Sequence, residues 1–321
     1  MMLRYIGIRA AQVPPTVAGI LLVGFLLIHV APGDPVLALA GQNGDAEYYA
    51  FMRDKFGLDE PLPTQLAVYA GNVLEADFGT SYIQGRPAME AILERLPATV
   101  LLTGTALVLS ALGGIALAVV AASRPRGARD IAVSTLSLGL YAAPVFWIGQ
   151  LAVLALALRL GWFPVQGMTS ARNPATGWAL VLDVARHLAL PALVLAAAEL
   201  AAVTRLARGG LVEELGRDHI RTARAKGVPE HAVLVRHGLR RAMLPVATVI
   251  GGRVGHVVSG AIVVEVVFGW PGVGQLLLSS MQNRDTPIVL GVFVLVAVTV
   301  VLANLVTDLA YAWLDPRIRY H

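Results

Sequence analysis

The sequence has no cysteine and few charged residues, and both shortages exclude classes of protein. Without cysteine the chain holds no disulfide framework, no iron–sulfur cluster and no thiolate zinc site. Only 14% of its 321 residues are charged and 56% are hydrophobic. That balance lies outside the range of ordinary soluble domains.

Motifs for nucleotide binding and metal binding are also missing. No G-x-x-x-x-G-K-[ST] occurs, so the chain cannot hold ATP phosphates in the P-loop manner. The glycine-rich stretch 269–274 lacks the required Lys and Ser/Thr, and we expect a turn entering a short re-entrant helix there. His219, His231 and His237 lack a metal-ligand spacing such as H-E-x-x-H. We therefore expect no catalytic residue, no metal and no cofactor in this chain.

What the sequence does have is long runs without any Asp, Glu, Lys or Arg. They cover Ala10–Gly33, Leu96–Ser123 and Ile131–Leu158, and each exceeds the roughly 20 residues that cross a bilayer. The net charge of +4 does not indicate nucleic acid, because the basic residues concentrate in segments that alternate between the apolar runs. The sequence thus predicts a polytopic membrane protein.

We predict an all-α integral membrane protein with six transmembrane helices and cytoplasmic N- and C-termini. A secretory signal peptide ending at Ala38-Leu39-Ala40 is the competing interpretation of the N-terminus, but the apolar run is too long for it. Pro144 is expected to kink the third span, and Trp178–Leu182 to form a separate interfacial helix on the outside. Four spans are expected near residues 15–30, 98–122, 188–205 and 288–311, the third span is expected to start near residue 131, and the fifth to begin at Pro245.

Three segments follow from these spans: the N-terminus with the first helix (1–30), an insertion (31–97) and a five-helix core (98–321). The insertion carries ten acidic against four basic residues, so the positive-inside rule places it outside the cytoplasm. Within it, Tyr48–Phe56 and Gln65–Leu74 are expected to be short helices.

The most polar passage of the C-terminal half, residues 213–245, lies between the fourth and fifth spans. Asp218 is expected to cap a helix that ends at Gly227 in the left-handed conformation, since Pro229 prevents its continuation. Ile220, Ala223 and Gly227 would form its small apolar face. So short a helix needs a surface to pack against. We interpret it as a docking site for a cytoplasmic partner; an ordinary basic loop is the alternative.

Ionisable residues inside spans are costly and usually face a protein interior or an aqueous path. Glu199, Arg253 and Glu265 are candidates for lining a translocation path, and interhelical pairing is the alternative for each. Arg253 and Glu265 are twelve residues apart, about 120° around one helix, so they cannot pair within it.

Residues 221–227, R-T-A-R-A-K-G, followed by Leu244-Pro245, resemble the coupling motif, or EAA loop, of ABC importer permeases. V-V-E-V-V-F-G-W-P-G-V-G-Q with N-R-D, and the terminal D-P-R-I-R-Y, resemble the dipeptide/oligopeptide/nickel permease family in particular. Arg221 stands where the general motif has a glutamate, so the contact expected of that glutamate does not transfer. The resemblance implies that the coupling residues are Asp218, Arg221, Thr222, Ala223, Arg224, Ala225, Lys226 and Gly227.

The resemblance also implies an assembly in the bacterial inner membrane that imports small peptides, with nickel or another small solute as the alternative. Its expected partners are a second homologous permease subunit, two ATPase subunits or domains that hold ATP and Mg, an extracytoplasmic substrate-binding protein and membrane lipid. Contact with the binding protein, or an outer gate, is expected at Asp77, Trp270, Asn283, Arg284 and Asp285; a solvated cap over the pore is the alternative for this face.

Two rival classes remain at the level of sequence. A self-sufficient secondary transporter or channel often shows internal inverted repeats, and none is apparent here. A membrane-bound enzyme would need a nucleophile, metal cluster or acid/base pair. Copurification of an ATPase subunit distinguishes the importer from the secondary transporter.

Overall fold

The fold is helical, as the long apolar runs predict. A computed structural model describes residues 2–30, 36, 45–81, 83–170, 176–243, 246 and 254–314. Three described helices are long and apolar enough to cross a membrane, and the number rises to five if each of two bent helix pairs is one span. The helices are Ala88–Ala122, Trp178–Leu215 and Thr286–Thr307, and the pairs are Ala128–Ala142 with Val145–Arg159 and Gly260–Phe268 with Val273–Gln282.

The chain divides into two compact units, of which the first comprises Met1–Thr99 and Pro271–Leu305. Its short hairpin pairs Thr80 with Pro87 and Ser81 with Arg86 in antiparallel register. Its elements are α1 (Met2–Val30), α2 (Ala46–Phe56), α3 (Leu62–Leu74), β1 (Thr80–Ser81), β2 (Arg86–Pro87), the start of α4 (Ala88–Ala122), α11 (Val273–Gln282) and most of α12 (Thr286–Leu314).

The core of this first unit is apolar and draws on α1, α3, α4 and α12. Phe25, Tyr69, Ile92 and Ile288 lie in one buried cluster. Gly291 allows α12 to approach closely, because a Cβ there would lie 2.6 Å from Ile92 Cδ1. These side chains pack the helices of the unit against one another.

The second unit comprises Val100–Trp270 and Val306–His321. Its helices include two π-helical stretches, each continuing an α-helix. The elements are the rest of α4, α5 (Ala128–Ala142), α6 (Val145–Ala152) with π1 (Val153–Arg159), α7 (Trp178–Leu215), α8 (Asp218–Ala225), α9 (Glu230–Ala232) with π2 (Val233–Leu239), and α10 (Val254–Phe268).

Small residues bring α4 and α7 together. A Cβ on Gly113 would lie 2.9 Å from Leu200 Cδ1, and one on Gly114 would lie 2.7 Å from Val203 Cγ1. Real Cβ atoms do not approach so closely, so any larger residue would push the helices apart. Gly113-Gly114 therefore allows the close approach of the two helices.

Several local expectations are confirmed. The two short helices of the insertion are α2 and α3. A sharp break follows Ala142, where α5 and the α6–π1 pair are bent by 106°; Pro144 stands at the start of α6 and has no amide hydrogen to continue the ladder. A turn at Gly269 precedes α11, as the glycine-rich stretch predicts.

One expectation is wrong. Trp178–Leu182 is not a separate interfacial helix but the first turn and a half of α7, which runs unbroken for 38 residues. Pro191 lies inside α7, and a transmembrane helix tolerates such a proline when neighbouring groups satisfy the freed carbonyl. The fourth span is therefore part of a longer helix that extends beyond it at both ends.

Candidate functional site

The helix α8 is the central element of residues 213–243. It begins at Asp218 and ends at Ala225, after which Gly227 adopts φ +78°. The amide of Gly227 donates to Arg224 O at 2.9 Å, and the amide of Val228 donates to Ala223 O at 3.2 Å. These bonds satisfy the carbonyls at the helix end. The left-handed glycine expected at position 227 is confirmed.

The expected N-cap is wrong by one residue. Arg217 is the N-cap, in extended conformation, and its side chain makes no capping bond. Asp218 is the first helical residue, and its carboxylate lies 3.3 Å from Arg221 Nη1. The backbone carbonyl of Arg217 already accepts the amide of Ile220 at 3.1 Å, so a side-chain cap from Asp218 is not needed. A carboxylate in the first turn still suits the helix dipole.

The two faces of α8 differ as expected. Ile220 and Ala223 are buried in a cluster with Val233 of π2. Gly227 does not belong to this apolar face, since nothing lies within 4 Å of its Cβ position. The opposite face offers exposed side chains to a partner: Asp218, Arg221, Thr222, Arg224, Ala225 and Lys226.

Arg224 is engaged within the chain. Its guanidinium donates to both carboxylate oxygens of Glu230, at 2.6 and 3.1 Å. These hydrogen bonds lower the pKa of the Glu230 carboxyl. The bidentate pair joins α8 to the start of α9 and leaves a neutral patch on the exposed face. Arg221 lies beside Asp218 on the same face, so Lys226 supplies the net positive charge of the exposed face.

The ionisable residues expected in spans lie in different environments. Glu199 is half-buried on α7. Glu265 on α10 is fully buried, and its backbone carbonyl accepts the amide of Trp270 at 2.8 Å. Arg253 lies outside the described residues, as do Leu244, Pro245 and the terminal D-P-R-I-R-Y. The path-lining role of Glu199, Arg253 and Glu265 stays a prediction.

The residues expected at the outer face divide by exposure. Asn283 and Arg284 are exposed. Asp77 is partly exposed and lies 2.9 Å from Lys55 Nζ. Trp270 and Asp285 are buried. The role of all five residues, as an outer gate or as a contact for the binding protein, stays a prediction.

Asp285 instead joins two elements of the first unit, a role that sequence reasoning missed. Ser81 Oγ donates to Asp285 Oδ2 at 2.5 Å, which fastens the β1–β2 hairpin to the residue that precedes α12. Burial raises the pKa of the Asp285 carboxyl. The two residues are 204 positions apart, so no local pattern could have paired them.

A second missed contact joins α5 to α7. Asp130 is buried, and Arg208 Nε and Nη2 donate to its two carboxylate oxygens. The amide of Arg126 adds a third bond at 2.8 Å. In the sequence, the acidic residue next to the basic turn 123–129 could have indicated this ion pair. This pair fixes that turn against α7, the helix that leads into α8.

Long apolar helices with largely unburied side chains and two sharply bent helix pairs define a polytopic α-helical membrane protein. The chain belongs to the family described as binding-protein-dependent transport system inner membrane component, whose model matches residues 114–320. The model of that family's N-terminal region matches residues 2–103. The chain is thus a multi-pass permease component of an ABC transporter in the inner membrane.

Curated relatives match over nearly the whole chain. The oligopeptide transport system permease protein AppB of Bacillus subtilis (strain 168) is 39% identical over 99% of this chain and 100% of its own length. The dipeptide transport system permease protein DppB of Escherichia coli (strain K12) is 38% identical over 99% of each chain. The glutathione transport system permease protein GsiC of Salmonella typhi is 39% identical over 99% of this chain and all of its own.

Proposed function

We propose that the chain forms half of the translocation pathway of an ATP-driven importer of small peptides. Its family membership supports the importer. The relatives named for oligopeptide, dipeptide and glutathione transport support the substrate, because all three cargoes are peptides or a peptide derivative. The partners are a second permease subunit, two ATPase subunits that hold ATP and Mg, and an extracytoplasmic binding protein.

The observation that best supports this function is that α8 has one apolar face and one polar face. Its apolar face is anchored by Ile220 and Ala223 against Val233, and its polar face is free of the chain's own core. A short helix fixed in this way transmits a push or pull to the elements on which it packs. In the proposed cycle, ATP binding closes the ATPases, α8 moves with them, and the spans change between inward- and outward-open states.

The proposed topology has six spans with both termini in the cytoplasm. The spans are α1, α4, α5 with α6–π1, the central part of α7, the helix that contains α10, and α12. The insertion after α1 and the Gly269–Pro287 segment then lie outside, and residues 213–245 lie inside. Asn283, Arg284 and Asp77 are the proposed outer contacts for the binding protein.

Uptake by the reconstituted complex tests the proposal. The permease is purified with its partner permease and ATPase subunits, inserted into proteoliposomes and supplied with binding protein and a mixed dipeptide pool. We expect ATP-dependent peptide uptake and copurification of the ATPase. Uptake driven by an ion gradient without any ATPase subunit is the outcome that contradicts the importer and supports a secondary transporter.

A further inference from the structure

Three exposed arginines lie in the short turn that joins two apolar helices. The turn 123–129 connects α4, which is long and apolar enough to cross a membrane, to α5, the first helix of a bent pair that passes the same test. Arg124, Arg126 and Arg129 are all exposed there. The hydrocarbon core of a bilayer is only about 30 Å thick, so a turn at the end of a span lies at the level of the lipid headgroups.

The acidic residue next to this turn does not neutralise its arginines. Asp130 is buried, and both of its carboxylate oxygens accept from Arg208 of α7. Oδ2 also accepts the backbone amide of Arg126, which fixes the turn. Among the described residues, no carboxylate pairs with the side chain of Arg124, Arg126 or Arg129. The turn therefore keeps three positive charges without a counter-charge.

The arginines of the neighbouring polar segment differ in this respect. Each of the three arginines within residues 213–227 has a carboxylate partner in the chain: Arg217 pairs with Glu213, Arg221 with Asp218 and Arg224 with Glu230. The arginines of the turn have none, so their counter-charge has to come from another molecule.

The apolar residues beside the turn are exposed as well. Val120, four residues before Arg124, is 44% exposed, and Ile131, two residues after Arg129, is 60% exposed. Lipid tails are as apolar as these side chains and can cover them in a membrane. The surface thus changes from apolar to cationic within about one turn of helix, and a phospholipid changes in the same order from acyl chain to phosphate.

We propose that the turn 123–129 binds the headgroup phosphate of an anionic phospholipid through its three arginines, with the acyl chains against the exposed apolar side chains beside it. A guanidinium suits this partner because it can donate two parallel hydrogen bonds to a phosphate. A lipid bound there stabilises the turn, which the Asp130–Arg208 pair holds against α7. The inference goes beyond the proposed import function and does not depend on it.

The test compares how strongly two lipids quench a fluorophore on the turn. The chain is labelled at Ala128→Cys, an exposed position in a sequence without native cysteine, assembled with its partner subunits and inserted into phosphatidylcholine vesicles. A small fraction of either phosphatidylglycerol or phosphatidylcholine carries a nitroxide on its acyl chain near the headgroup. We expect phosphatidylglycerol to quench several times more strongly. The difference should vanish in about 1 M salt, where the Debye length is about 3 Å.

Arginine variants identify the source of this preference. An arginine near an anionic surface contributes about fivefold to lipid binding, so Arg124→Gln with Arg129→Gln should reduce quenching by phosphatidylglycerol to that by phosphatidylcholine. Arg124→Lys with Arg129→Lys keeps both charges and should retain most of the preference. Arg221→Gln with Lys226→Gln is the matched control, because it removes two exposed basic side chains from α8, and it should behave as wild type.

Arg126 separates lipid binding from folding. Its φ is +63°, a conformation that glycine adopts without strain. Arg126→Gly should therefore weaken the preference for phosphatidylglycerol without lowering the melting temperature in detergent.

Three results overturn the proposal. One is equal quenching by the two lipids in the wild type, and another is a preference that survives the loss of Arg124 and Arg129. The third is loss of the ATPase subunit from that double variant with the lipid preference unchanged, which would assign the turn to the ATPase instead. The measurement requires no transport, so a complex without ATP-driven uptake contradicts the importer proposal alone.

Discussion

At the scale of single residues, Asp130 and Arg208 form a two-pronged charged contact in the second unit. The Asp130 side chain is 4% exposed and that of Arg208 is 31% exposed. Removing only one partner of a buried pair leaves an uncompensated charge, which costs more than removing both. Comparing the stabilities of the single and double variants therefore shows whether the buried Asp130 carboxylate depends on Arg208.

We expect Arg208→Ala to lower the free energy of unfolding by about 3 kcal/mol, the low end of the range for broken buried pairs because Arg208 is partly exposed. Adding Asp130→Asn removes the stranded charge and should recover most of that loss. Exposed Arg129→Ala is the control and should stay within about 0.5 kcal/mol of wild type. Thermal unfolding in detergent measures all four; an additive double variant contradicts the account.

The carboxyl of Asp285 gives a pH-dependent prediction. Because burial raises its folded-state pKa, its proton is held more tightly in the folded protein than in the unfolded chain. Stability is then greatest below the ordinary pKa of aspartate, about 3.9, and declines as pH rises towards the folded-state pKa. The Ser81 hydroxyl can donate equally well to an amide oxygen.

Asp285→Asn should therefore be at least as stable as wild type at pH 8. It should not show the decrease in stability that the wild type shows between pH 4 and 8. Asp285→Ala, which removes the acceptor of the buried Ser81 hydroxyl, should cost about 1–3 kcal/mol. Melting temperatures across this pH range measure both. A wild type that gains stability as pH rises through this range contradicts the raised pKa.

At the scale of elements, replacing the left-handed glycine that follows α8 tests how much this residue stabilises the helix. At Gly227, φ is +78°, where a Cβ is strained whatever the space around it. Gly227→Ala should cost about 1 kcal/mol and increase amide hydrogen exchange of residues 218–228 in the assembled complex. Gly209 on α7 also has open space around its Cβ position but no positive φ, so Gly209→Ala is the matched control.

Unchanged exchange in Gly227→Ala, or the same increase in Gly209→Ala, contradicts the stated role of the glycine. A less firmly held α8 should couple ATP hydrolysis to transport less well. The number of peptides taken up per ATP hydrolysed should therefore fall in Gly227→Ala and not in Gly209→Ala.

The sequence predicted α8 well because its signals are local. The positive-φ glycine, Pro229 and the small apolar face all lie within one short stretch. The same reasoning failed after Leu182: it separated Trp178–Leu182 from the span expected at residues 188–205, whereas one helix continues through both. Pairs such as Asp130 with Arg208, 78 positions apart, depend on tertiary packing, and no periodicity in the sequence records them.

At the scale of the whole molecule, the charge-free runs predicted the membrane class, and the coupling motif predicted the family. The six-span count and the residues of the path depend on tertiary arrangement and on Arg253, which lies outside the described residues. The absence of native cysteine makes the topology directly testable by single-cysteine labelling.

Ile83 of the hairpin loop and His231 of the loop between α8 and π2 are both exposed. In intact, cell-wall-stripped cells, an impermeant maleimide should label Ile83→Cys and not His231→Cys. Permeabilised cells, in which both sites should react, are the control. Labelling of His231→Cys in intact cells contradicts the orientation.

The central claim is that α8 docks on an ATPase subunit, and cross-linking from its exposed face tests it most directly. Thr222→Cys, activated with a short photo-cross-linker in the assembled complex, should give an adduct with the ATPase subunit. Ile83→Cys, treated in the same way, should not. The account also predicts that ATPase assembly protects Thr222→Cys from maleimide. No adduct, with equal labelling whether or not the ATPase is present, would contradict it.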